Sequence, residues 1–332
     1  MAELSVNPQQ WERGPKIVAV GGGTGLSTML RGLKKYTKNL TAVVTVADDG
    51  GGSGMLRRDM GMPPPGDIRH CMEALANTEP IMQKLLTYRF TEGSLAGQSF
   101  GNLILAALNG VTGSFEEAVS QMSQVLAITG RVIPVTSADV QLEAVFENGV
   151  RVVGESKIYH VKKEQDCRIA HVALIPKRPA PLPAALAAIR EADLILLGPG
   201  SLYTSVIPNL LVDGVAQAIA QSDAPKIYVC NIMTQEGESE GYTAADHLEA
   251  LLAHGCPGLV EKYQAEGAAP LVIDRERIAA LGLELVERPV AAHHGDFARH
   301  DPDKLAEALL EIYRRRAVRR QITVCGSCPS PR

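Results

Sequence analysis

Short, strongly apolar runs that end in glycine clusters set the pattern of this chain. Lys16-Ile-Val-Ala-Val20 reads as a buried strand running straight into Gly21–Gly25, and Met29, Leu30 and Leu33 then fall on a helical face. Leu40–Val46 is a second strand, rich in β-branched residues, ending in Asp48-Asp49 and the glycines up to Gly54. Strand, short turn, helix, strand is the signature of a parallel βαβ unit. From Gly66 to Leu126 the spacing predicts three helices, broken at Thr91–Gly97 and Gly110–Gly113, with Ser114 and Glu117 forming a capping box.

The character then changes. Arg131–Val135 and Val140–Phe146 are strand-like, and Asn148-Gly149 marks a hairpin into Val150–Gly154. Residues 132–171 are therefore expected to form a small antiparallel β insertion. A stiff stretch, Pro176–Pro183, leads back to the α/β rhythm: strand Asp193–Leu197, turn Gly198–Ser205, a helix near Asn209–Ala220, and strand Lys226–Cys230 ending at Asn231. A helix over Ala244–Ala253, short strands at Pro270–Ile273 and Leu283–Val286, and a closing helix Pro302–Arg315 complete the pattern. This predicts a single α/β domain over 16–315 with a mostly parallel sheet, a flexible segment 1–15 and a basic tail 316–332.

Composition narrows the function classes. At 332 residues the chain can bury a large core. A formal charge of −4 gives no electrostatic basis for nucleic-acid or anionic-membrane binding. No apolar run approaches the roughly 20 residues of a membrane span, and the polar start lacks an export signal, so a cytoplasmic location is expected. Six cysteines are scattered. Cys325-Gly-Ser-Cys328 has neither a second pair nor a βα unit behind it, and reads as an incidental tail, not a zinc or redox site.

Candidate chemistry sits at the strand ends. Gly22, Gly23, Thr24 and Gly25 would expose backbone N–H groups at a helix N-terminus, a place suited to phosphate. The spacing is neither the dinucleotide fingerprint nor a Walker A loop. Asp48 and Asp49 end the second strand, where a carboxylate can meet a ribose hydroxyl or share Mg²⁺ with phosphates. Consecutive strand-end side chains diverge, so at most one is expected to touch ligand. Asp67 can cap its helix or serve the site, Arg69 can reach an anion, and Asn102 can donate to ligand or brace the loops. Gly200, Ser201, Thr204 and Ser205 repeat the strand-glycine-helix design, and two such turns imply a crevice at a switch point of an open sheet. His293, His294, Arg299, His300 and Asp301 match no zinc spacing, and no nucleophile is nominated.

Gly21-Gly-Gly-Thr-Gly25, Asp48-Asp49-Gly-Gly-Gly-Ser53, Gly66-Asp67-Ile-Arg69, Phe100-Gly-Asn102, Leu197–Ser205 with Pro208-Asn209, and Arg299-His-Asp301 form an ordered set. In this set the chain resembles the YvcK/CofD-like family, nearest to its YvcK branch of gluconeogenesis factors. The resemblance implies a Rossmann-like three-layer α/β/α fold and a nucleotide site including Ser53 and Asn231. It implies a UDP-sugar ligand, UDP-N-acetylglucosamine or UDP-glucose, contacted by Tyr263 and Arg299. It links the YvcK branch to carbon flux and cell-wall shape. In the CofD branch it implies a divalent-cation-dependent transfer of 2-phospho-lactate from a guanosine diphosphate conjugate to a deazaflavin. Two departures stand out. Gln98 replaces the family's usual histidine, and the strand normally found between Ala253 and Tyr263 is missing from the pattern.

The leading expectation is a non-catalytic UDP-sugar-binding regulator of gluconeogenic growth, cell shape and envelope synthesis, needing no cofactor beyond an optional Mg²⁺ at Asp48 or Asp49. Self-association into a homo-oligomer is expected for a protein of this size. The alternative is a metal-dependent 2-phospho-lactate transferase. An NAD-dependent oxidoreductase fits the sheet but neither the glycine spacing nor any catalytic pair.

Overall fold

The structure, a computed structural model, describes residues 14–255, 262–265, 271–294 and 297–325. Its centre is a seven-stranded sheet, every neighbouring pair parallel, in the order β10-β9-β8-β7-β1-β2-β3. The strands are β1 (Ile17–Gly21), β2 (Leu40–Val44), β3 (Arg131–Pro134), β7 (Leu194–Leu197), β8 (Lys226–Val229), β9 (Lys262–Ala265) and β10 (Glu284–Glu287). Every residue of β1, β2, β7 and β8 is buried. That is why these strands read as continuous Val/Ile/Leu runs without alternation: a parallel sheet is covered on both faces. Each fully buried aliphatic side chain contributes about 1.5–3 kcal/mol. Helices flank the sheet, giving the Rossmann-like α/β/α arrangement. Among the described residues no helix is long and apolar enough to cross a membrane.

A separate three-stranded antiparallel sheet, β5-β4-β6, is built from β4 (Gln141–Phe146), β5 (Arg151–Val153) and β6 (Ile169–Ile175). The expected insertion therefore exists with shifted bounds. Arg131–Pro134 pairs in parallel with β2 and is the edge of the main sheet, and β6 runs on to Ile175. A hairpin of β11 (Ala291–His294) and β12 (Phe297–His300) follows β10.

Helix α1 (Gly23–Leu33) follows β1. Several helices depart from the sequence pattern. Gly51–Met60 is helical (α2) although four of its first residues are Gly-Gly-Ser-Gly, because three of its first four residues are buried against their surroundings. Residues 66–125 form four helices: α3 (Gly66–Leu75), Pro80–Thr87, α4 (Phe100–Thr112) and Phe115–Val125. The Ser114 cap accepts from Glu117 N–H as the pattern predicted. Glu155–Gln165, inside the insertion, is also a helix (α5). The helix expected near Asn209–Ala220 is broken into a π-type turn over Leu202–Val206, Ile207–Leu210, and Val215–Gln221. The expected helix after β8 runs over Ala244–His254 (α6), and the closing helix, α7, extends over Pro302–Cys325. No strand covers the described part of 270–273, and the place between β8 and β10 is taken instead by β9. The expected flexible segment 1–15 lies outside the described residues except for its last two, as do parts of the basic tail and the second half of the CxxC pair.

Candidate functional site

Strand order places the two glycine turns side by side. The chain builds β1, β2 and β3 outward in one direction, then crosses to lay β7 on the other flank of β1, so the order reverses between β1 and β7. These strands are parallel, with Val20 opposite Leu197. Gly21–Gly25 and Gly198–Ser205 consequently leave the sheet together at its carboxyl edge, the usual ligand crevice of such a fold. The contact is tight: a Cβ at Gly25 would lie 2.6 Å from the Pro199 carbonyl oxygen and 3.0 Å from Gly200 N. Two asparagines strap the junction. Asn209 Nδ2 donates to Gly21 O at 3.1 Å and to Ser205 O at 2.8 Å. Asn231 Nδ2 donates to Gly200 O at 2.9 Å while its Oδ1 accepts from Gly200 N at 3.1 Å.

The turns differ in what they offer. Helix α1 is opened by Gly22, which has no side chain to cap it, and has no acid of its own in its first turn; its first amide, Gly23 N–H, goes to Asp67, and Thr24 is exposed. Helix α2, opened by Gly50, also lacks a side-chain cap. In the second turn the amides are already taken. The Glu238 carboxylate accepts from Leu202 N at 3.0 Å, Tyr203 N at 2.9 Å and Thr204 N at 3.0 Å. Ser201 Oγ donates to Gln235 Oε1 at 2.8 Å, and Ser205 is buried. Burial pushes the Glu238 carboxyl up to about 7, against the downward pull of those N–H groups. The expectation that this turn presents its helix N-terminus to phosphate is thereby corrected. An internal carboxylate fills that place, leaving Gly200, Ser201 and Thr204 as a wall.

Carboxylates form the floor. Asp67 receives the Gly23 N–H, and its Oδ2 sits where a Cβ on Gly22 would come within 2.2 Å. Asp48 accepts from Gly50 N at 2.8 Å and adjoins Ser53 and Gly66. Glu155, the first residue of α5, reaches in from the insertion to Asp48 and Thr204. All three side chains are enclosed by protein yet keep partial solvent contact, as on the wall of a cleft. Burial first, and repulsion from the other carboxylates second, raise the Asp67 carboxyl to about 7 and Glu155 well above the ordinary range. Asp48 is raised too, chiefly by burial. Asp49 turns away, as consecutive strand-end residues must, and caps α5 by accepting from Ser156 N at 2.8 Å. Among the described residues no three acidic, His or Cys side chains are placed to hold a metal ion.

Several nominated residues prove to be braces. Arg69 is buried; its Nε donates to Asn102 Oδ1 at 2.9 Å, and its other nitrogens engage Glu73 and His70. Asn102 in turn donates to Ser53 Oγ at 3.5 Å. A guanidinium so committed holds the Asp48–Ser53 loop in place and has little left for an anion. Arg299 is exposed on β12, in the hairpin whose Ala298 N–H points to Met233 beyond the end of β8. Tyr263 lies on β9 opposite Tyr228, and its side chain is outside the described residues, as are those of His293 and His294. Glu155 and Glu238 escaped the sequence reading, because neither sits in a local pattern that distinguishes it from a surface acid.

The described cavities lie away from this crevice. The one lined by Lys16, Lys38 and Arg131, about 550 Å³, opens at the opposite edge of the sheet. The enclosed carboxylates, the glycine-rich helix starts and the strand reversal locate ligand chemistry better than cavity size does.

Comparison with known proteins agrees with the motif order. A Thermoanaerobacterium thermosulfurigenes protein is 54% identical over 313 residues, covering 90% of this chain and 97% of that one. The Bacillus subtilis gluconeogenesis factor is 46% identical over 315 residues, covering 90% of this chain and 98% of the relative. A crystal structure from Bacillus halodurans superposes with a TM-score of 0.86 at 43% identity, covering 90% of this chain and 100% of that one. The family model described as 2-phospho-L-lactate transferase CofD matches residues 17–291, and the chain belongs to that CofD family, among its gluconeogenesis-factor relatives.

Proposed function

We propose that the crevice binds a sugar linked through a nucleoside diphosphate, of the UDP-N-acetylglucosamine or UDP-glucose type, and that the bound state regulates gluconeogenic growth, cell shape and envelope synthesis. The observation that carries the binding reading is the contact between the Gly25 and Pro199-Gly200 backbones at the reversal between β1 and β7. The diphosphate belongs on the glycine-rich starts of α1 and α2, beside the Asp67 that holds Gly23 N–H, with Ser201 and Thr204 opposite. Uridine and the regulatory role rest on the family resemblance and on relatives named for a process.

The acid floor sets a condition. A diphosphate entering beside Asp48, Asp67 and Glu155 meets like charge, so a proton or a cation must accompany it. An all-oxygen donor set suits a hard divalent ion; Asp48 and Asp67 would hold Mg²⁺, which would screen the diphosphate charge. Asp49, the other residue expected for the ion, accepts from Ser156 N–H at the start of α5.

The same floor favours a second reading, a transferase of the CofD type. Asp67 is poised to exchange a proton near neutrality, and burial and the neighbouring carboxylates make Glu155 hold its proton well above the ordinary carboxylate range, the kind of proton-transfer groups such a reaction needs. Calorimetric titration with UDP-N-acetylglucosamine, with and without Mg²⁺, tests the first reading. Saturable binding that Gly25→Val removes supports it, and the absence of binding by the unmutated protein defeats it. Turnover of a nucleotide-diphosphate donor, lost in Asp67→Asn, would support the second.

A further inference from the structure

Helix Pro80–Thr87 turns more apolar surface outward than inward. Its one buried residue is Leu86, with Met82 half-buried against the core. Ile81, Leu85 and Tyr88, four and three residues apart and so on one face, are 65%, 40% and 51% exposed. A helix of eight residues is marginal in water and is held by what it packs against. Three large side chains directed away from the core therefore call for a cover.

The stripe is preformed and continues past the helix. Tyr88 meets Phe90 edge to face, with ring centroids 5.2 Å apart. The hairpin over 88–100 fixes both rings: Phe90 N donates to Gln98 O at 2.9 Å, Gly97 N to Phe90 O at 2.8 Å, and Phe100 N to Tyr88 O at 2.9 Å. Leu95, near its tip, is exposed too. Together these side chains expose roughly 400 Å², the size of apolar patch that marks a contact. With the polar rim included, two copies would bury on the order of 1,000 Å², the least a stable pair needs.

Charge selects the partner. Glu79, Lys84, Arg89 and Glu92 stand exposed along the same segment, two of each sign. A strongly acidic or basic partner is steered by a rim of one sign. A balanced rim matches a copy of itself turned about a twofold axis, where each charge can meet its opposite. The chain carries −4 overall, so two copies repel over most of their surface and meet at least cost where charge balances. We propose that this face is the interface of a twofold-symmetric dimer of this chain. The return strand of the hairpin, Gly97-Gln98, rests on Gly52 at the start of α2, so the interface flanks the crevice. It does not depend on what the crevice binds.

The test is sedimentation velocity of the full chain over a range of micromolar concentrations. We expect a mass that Ile81→Glu/Leu85→Glu halves, with association weakened tenfold or more. Lys84→Glu makes the rim acidic in both copies and should weaken association severalfold, with recovery as salt is raised. Val272→Glu, the same kind of change at an exposed valine beside the start of α6, should leave the mass unaltered. All these positions are exposed, and circular dichroism confirms that the variants fold. A chain that stays monomeric at every concentration leaves the stripe to a different partner and overturns the proposal. So does a mass that the double change leaves as it was, or a loss of association in Val272→Glu equal to that in the double change.

Discussion

Replacing Asp67 by asparagine should stabilise the protein at pH 8, and by an amount that fades towards pH 4. The Asp67 carboxyl is moved from its ordinary 3.8 to about 7, mainly by burial and then by Asp48. That displacement corresponds to a ceiling of about 4 kcal/mol against the ionised form. Asp67 keeps partial solvent contact, so roughly half of that ceiling, about 2 kcal/mol, is the expected gain. The folded state holds this proton more tightly than the unfolded chain does. Below about pH 4 both states are protonated and ionisation costs nothing; as pH rises through 7 the folded state must lose the proton in an unfavourable place, and stability falls. Asparagine keeps an acceptor for Gly23 N–H and removes the charge that Asp48 repels. Urea unfolding of both proteins between pH 4 and 8, followed by far-UV circular dichroism, measures the difference directly. A stability difference that stays flat across that range would refute the reasoning, since it would mean Asp67 titrates alike in both states.

Four further outcomes follow from the same geometry. Glu238→Ala should lower the melting temperature strongly, because three buried N–H groups lose their acceptor at about 1–3 kcal/mol each; Glu238→Gln should cost less, with the two compared by thermal unfolding. Asn231→Ala removes both hydrogen bonds to Gly200 and should weaken nucleotide-sugar affinity tenfold or more by calorimetry with a small change in melting temperature. Arg69→Met should destabilise by roughly 3–5 kcal/mol, because Glu73 is left as an unpaired, largely buried charge, as read by chemical denaturation. Glu155→Gln should relieve repulsion at the floor and reduce the benefit that Mg²⁺ gives to ligand binding, read as a smaller ratio of affinities with and without the ion.

The sequence disclosed the parts of the site that have local causes. β1 and β2 are buried apolar runs cut off by glycines, and such runs announce both the strand and the turn after it; the Ser114 cap is equally local. The pairing of the two turns was legible as well, because repeated strand-glycine-helix units in a parallel sheet meet at one edge. What stayed hidden was contributed from afar. Glu238 fills the Leu202–Thr204 amides from 34 to 36 positions away, and Glu155 enters from a helix within the insertion, a stretch the pattern assigned to no helix. Helix α2 was masked by glycines that lower helix propensity and that tertiary packing overrides. Arg69 looked like an anion ligand because sequence shows its charge and not its engagement with Asn102, Glu73 and His70.

Soaking crystals of the chain with UDP-N-acetylglucosamine and Mg²⁺ and locating the diphosphate in the difference density tests the central claim most directly. Density for the two phosphates against the starts of α1 and α2, beside Gly25 and Gly200, is the predicted result. A ligand bound elsewhere, with that crevice left as it was, would contradict it.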